Sequence, residues 1–114
     1  MSEAAEYPIE TDIATVDAML KAGEDFLLLD VREPDEVSIA HIEGSTLLPM
    51  SELVDRMAEL NEHRDRQIVV HCHLGGRSLQ VAHHLRNHGF AKAQSMAGGI
   101  DGWSLQVDAS IPRY

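Results

Sequence analysis

Two short apolar runs, Phe26–Leu29 closed by Asp30 and Ile68–Val70 closed by His71, constrain this chain more than any other feature. Neither alternates polar with apolar positions, so neither suits a strand with one wet face. Runs of this kind fit strands buried on both sides, as in parallel sheets. The segments around them carry helical spacing. Ala14–Ala22 reads as a helix with Ile13, Val16, Met19 and Leu20 on one face, stopped by Gly23. Pro34 opens a short polar helix, and Thr46–Leu48 is a further strand ending at Pro49. Ser51 is the expected N-cap of a helix running to Leu60, with Leu53, Val54, Met57 and Leu60 inward. Arg77–Asn87 forms a helix that turns Val81, Ala82 and Leu85 to the core and ends at Gly89. A short strand near Gln94–Met96 and a short helix after Gly99 complete the series. Parallel neighbours require crossovers, and right-handed crossovers place helices on both faces. The expected fold is α/β, a central mostly parallel sheet flanked by helices on both faces.

The 114 residues suffice for one compact domain, 1–114, with no internal repeat or linker. With 9 basic against 19 acidic residues the net charge is −10, which argues against nucleic-acid binding. No membrane span is expected, since even Asp25–Asp30 is closed by charges at both ends. Met1–Glu6 is acidic and lacks the basic and apolar parts of an export signal. The single cysteine excludes an intrachain disulfide and suits a reducing compartment, so cytoplasmic residence is expected.

That cysteine, Cys72, follows the second apolar run and precedes His73-Leu74-Gly75-Gly76-Arg77-Ser78. Ligands of open parallel sheets sit beyond the carboxyl ends of the strands, and three segments fall there: Asp30–Arg32, Pro49–Met50 and Cys72–Arg77. A thiol becomes a nucleophile as its thiolate, which inward-pointing amides and a following helix N-terminus favour. Gly75 and Gly76 are expected to supply left-handed backbone for such a nest, and Arg77 to add a charge and brace the loop. Basic side chains also gather here, with His71, His73, Arg77, His83, His84, Arg86 and His88 in one short window.

Four segments together resemble the single-domain rhodanese sulfurtransferases. They are Leu29-Asp30-Val31-Arg32-Glu33-Pro34, Ala40-His41-Ile42-Glu43-Gly44-Ser45, Cys72–Ser78 and Gly98-Gly99-Ile100-Asp101-Gly102-Trp103-Ser104. The tail Val107–Tyr114 also looks like that of one small rhodanese branch. The resemblance implies a rhodanese-like fold and a two-step transfer without cofactor or metal. Cys72 would take sulfane sulfur from thiosulfate or a persulfide-donating protein, hold it as a persulfide cradled by the amides of His73, Leu74, Gly75, Gly76 and Arg77, and yield it to cyanide, a thiol or a carrier protein. Similar phosphatases and arsenate reductases separate cysteine and arginine by one residue more, whereas here only His73–Gly76 intervene, a cradle narrowed to sulfur. Thiosulfate-using relatives often carry Arg or Lys directly after the cysteine. His73 stands there instead, so thiosulfate is expected to be a poor surrogate for a protein persulfide.

Plainer roles compete at each position. Cys72 has the alternative of a buried structural thiol, against which the flanking glycines and Arg77 speak. Asp30 and Arg32 are expected to form a salt bridge shaping the loop floor, His41 to tie loops by hydrogen bonds, Gly44 to serve a turn and Trp103 to pack. Ser78 belongs to the supporting residues of the loop. His84 and His88 have the i, i+4 spacing of metal ligands without an evident third, which favours a solvated helix face. Rhodanese-like domains also serve as noncatalytic interaction modules; retention of Cys72, both glycines and Arg77 favours an enzyme.

Overall fold

A computed structural model of the chain describes residues 7–114, in which strands and helices alternate. Met1–Glu6, read above for an export signal, lie outside the described residues. The elements are β1 (Glu10–Thr11), α1 (Ile13–Ala22), β2 (Leu27–Asp30), α2 (Pro34–Ile39), β3 (Thr46–Leu47), α3 (Leu53–Arg56), β4 (Ile68–His71), α4 (Gly76–Asn87), β5 (Ala93–Met96) and α5 (Gly99–Gln106). The two apolar runs sit side by side in the middle of the sheet, with Leu27 opposite Ile68 and Asp30 opposite His71. The order is β1-β5-β4-β2-β3, and every pairing is parallel.

Period-two alternation splits the core into two layers. Leu27, Leu29, Ile68, Val70 and Cys72 face Leu53, Leu60, Val81, Ala82 and Leu85 on one side. Phe26, Leu28, Val69 and Met96 face Ile13, Val16, Met19, Ile100 and Trp103 on the other. Gly102 lies where α1 meets α5, and a Cβ there would stand 2.4 Å from Ile13 Cδ1. Among the described residues no helix is long and apolar enough to cross a membrane.

Three details differ from the expectations. The edge strand β1 was not foreseen; Ser95 N–H donates to Ile9 O at 2.7 Å and Ala97 N–H to Thr11 O at 2.9 Å, so tertiary pairing makes a strand of a polar dipeptide. The helix expected over Ser51–Leu60 is broken into a 3-10 turn at Met50–Glu52, α3, and a 3-10 stretch at Met57–His63. Leu53 and Leu60 are buried as expected, but Val54 is 74% exposed. Ser51 caps nothing, because its hydroxyl donates to Glu33 Oε1 at 2.7 Å.

Candidate active site

The crossover direction reverses between β2 and β4, and the loops after both strands meet at their carboxyl ends, the place where open α/β sheets bind ligands. Cys72 is the first residue beyond β4 and is only 1% exposed. Its Sγ accepts the N–H groups of Gly75 at 3.1 Å and Ser78 at 3.3 Å, and the thiol donates to Ser78 Oγ at 3.4 Å. Ser78 Oγ lies 2.7 Å from Ser95 Oγ and donates to Gly75 O at 3.1 Å. The N–H groups of His73, Leu74, Gly76 and Arg77 donate no hydrogen bond among the described residues. The turn depends on Gly75, whose φ of +118° suits glycine. Gly76, expected to share that conformation, is instead the first residue of α4, with nothing within 4 Å of a Cβ built on it.

The loop rests on the start of α5. Ile100 N–H donates to Cys72 O at 2.9 Å and Asp101 N–H to His73 O at 3.1 Å. Gly99 makes that approach possible: a Cβ there would meet His73 O at 2.4 Å and Cys72 O at 2.6 Å. In the sequence this glycine segment carried the family resemblance, with no local sign that it borders the site.

Charge enters from α2 and the tail. Arg77 spans both oxygens of Glu36, at 2.6 and 2.8 Å, a bidentate fork that braces the loop as expected. Chiefly through Arg77, with help from Tyr114 and the Glu33 amide, the Glu36 carboxyl is held down at about 2 despite partial burial. Tyr114 donates its hydroxyl to Glu36 Oε2 at 2.8 Å and accepts from Arg32 Nη1 at 3.0 Å. Its ring stacks on His73 with centroids 3.9 Å apart and planes 8° from parallel. Glu36 and Tyr114 were both missed as site residues; only the resemblance of the tail pointed toward Tyr114.

Beneath the loop, Arg32 is fully buried and bonds Asp30 through Nη2 at 2.7 Å and Nε at 3.0 Å, then Ala40 O at 2.8 Å. This is the floor-shaping pair expected of Asp30 and Arg32. His71 lies on the opposite sheet face from Cys72; burial pushes its imidazole down to about 4, and Ser45 Oγ lies 2.9 Å from its Nε2. His41 does not tie loops together, for it is exposed and its side chain forms no hydrogen bond among the described residues. The Ser45–His71 contact links those segments instead. Trp103 packs in the core and Gly44 turns with φ +91°. His84 and His88 lie on α4 and just after it, rings 4.2 Å apart, with His88 Nδ1 against His84 O.

Residues 12–106 match the family model described as Rhodanese-like domain. A sulfurtransferase of Allochromatium vinosum is 34% identical over 95 residues, covering 83% of this chain and 87% of that protein. The chloroplastic rhodanese-like/PpiC domain-containing protein 12 of Arabidopsis thaliana is 41% identical over 91 residues, which is 76% of this chain but only 30% of the plant protein. A Rhodopseudomonas palustris structure described as a possible tyrosine phosphatase superposes with TM-score 0.79 at 27% identity, covering 98% of this chain and 89% of that one. By its matched family model and its relatives, which include a sulfurtransferase, the chain belongs to the rhodanese-like domain family.

Proposed function

We propose that the protein moves sulfane sulfur through a persulfide on Cys72. The observation that carries this reading is the pair of amides, Gly75 and Ser78, aimed at Sγ in a loop with four residues between Cys72 and Arg77. In the first step the Cys72 thiolate attacks the outer sulfur of a donor, such as thiosulfate or a persulfide. The donor's S–S bond breaks and its electron pair leaves on sulfite or a thiolate. In the second step an acceptor nucleophile, such as a thiol, cyanide or a carrier protein, attacks the outer sulfur and the Cys72 thiolate departs. Dividing the displacement in this way replaces one difficult step with two easier ones. The loop N–H groups that have no partner among the described residues, those of His73, Leu74, Gly76 and Arg77, are the donors for the added sulfur's charge.

The short loop also bears on the phosphatase reading suggested by the description of the Rhodopseudomonas protein. A phosphoryl group needs room for three oxygens around the sulfur, whereas Cys72 here is buried and its Sγ is closely flanked by two amides. Intact-mass spectrometry after exposure to thiosulfate or polysulfide tests the proposal. One added sulfur, lost on cyanide treatment and absent from Cys72→Ser, is the expected result. No adduct with any donor would support a noncatalytic interaction module instead.

A further inference from the structure

Each arginine near Cys72 already has an acidic partner. Glu36 binds both terminal nitrogens of Arg77, Asp30 binds Arg32, and Asp101 binds Arg113 at 2.8 Å. The one other basic side chain of the loop, His73, lies against the Tyr114 ring, and Glu36 anchors that ring through the tyrosine hydroxyl. One carboxylate therefore fixes both the loop's guanidinium and the group stacked beside the loop. Glu36 and Arg77 are partly buried, so salt screens their contact less than a surface pair. With its carboxyl held at about 2, Glu36 stays ionised throughout the neutral range.

A dianionic donor needs uncompensated positive charge where its anionic end rests. These arginine pairs leave none, in a chain whose net charge is −10. An organic persulfide carries at most one charge on the transferable sulfur, which backbone amides can satisfy. We propose that Glu36 sets the donor class of this site: by holding Arg77 and Tyr114 it withholds the loop's guanidinium from dianions and leaves an organic persulfide, R–S–SH, as the sulfur source. The inference rests on the transfer reading above. In the step itself the Cys72 thiolate attacks the terminal sulfur and the S–S bond between that sulfur and the R–S group breaks. The electron pair stays on the departing R–S group, which takes the terminal proton. The products are R–SH and Cys72–S–S⁻, with no net oxidation.

Initial rates of Cys72 loading by thiosulfate and by cysteine persulfide, followed by intact mass, test the assignment in the wild type, Glu36→Gln and the Glu36→Gln/Arg77→Gln double variant. The thiosulfate-to-persulfide rate ratio is expected to rise at least about tenfold in Glu36→Gln, the rate equivalent of freeing one partly screened charge. It should fall back in the double variant. The ratio of iodoacetate to iodoacetamide alkylation of Cys72 should move in the same way, which reads the field without turnover. If Glu36→Gln does not fold, Glu36→Asp, which keeps the charge on a shorter arm, should shift both ratios in the same direction by less. Unmoved ratios, or a gain that survives loss of Arg77, would overturn the role of Glu36. Failure of both donors to load a wild-type thiol that still alkylates would overturn the transfer reading, and this inference with it.

Discussion

At the scale of single residues, His71 and the Asp30–Arg32 pair carry the stability risk of the site. The buried imidazole of His71 titrates at about 4 against an ordinary 6.5. Above that window both folded and unfolded chains are neutral at this position and no penalty arises. As pH falls from 6.5 toward 4 the unfolded chain binds a proton that the folded one refuses, so stability is lost through that interval. The full loss is about 3 kcal/mol. Urea midpoints measured from pH 7 to pH 4 should fall more steeply for the wild type than for His71→Met, and parallel slopes would count against this account. Asp30→Asn leaves the buried Arg32 guanidinium without its counter-charge. Its expected cost is about 3 kcal/mol, read from the same urea unfolding at pH 7.

At the scale of elements, the loop and the first turn of α5 act as one part. Gly99→Ala puts a methyl group 2.4 Å from His73 O at a φ of +59°, so the loop must shift. We expect a loss of about 2 kcal/mol or more, with Cys72 alkylating faster as its burial fails. Gly76→Ala meets open space in a helical conformation and should stabilise by roughly 0.5 kcal/mol, measurable as a raised thermal midpoint. The same contrast explains what was legible in the sequence. Strands β2 and β4 announced themselves because every residue of each is buried, and the Cys72 loop because its parts are contiguous. Strand β1 did not, since Glu10 and Thr11 become a strand only by pairing with β5. The breaks on either side of Leu53–Arg56 were hidden because Val54, between them, has the composition of a core residue and the exposure of a surface one. Arg77 was recognised as a brace, but its partner Glu36 lies 41 residues away, and no local pattern links the two.

At the scale of the whole molecule, acidity and chain path both matter. A net charge of −10 repels small anions before they reach Cys72. Second-order loading of Cys72 by thiosulfate should therefore accelerate as salt rises from about 10 to about 150 mM, where the Debye length shrinks from about 30 to about 8 Å. A neutral alkylating reagent should show no such rise in parallel measurements. The path of the tail has a consequence of another kind. Ser104 Oγ donates to Ile111 O at 2.6 Å, Arg113 reaches Asp101, and Tyr114 arrives at Glu36 and Arg32 across separations of 78 and 82 residues. The Tyr114 contacts close loops of 78 and 82 residues, whereas the bond from Ser78 N–H to Cys72 Sγ spans only six. The longer closure carries the larger entropic cost, so the Tyr114 clamp is expected to open on heating before the nest around the thiol does.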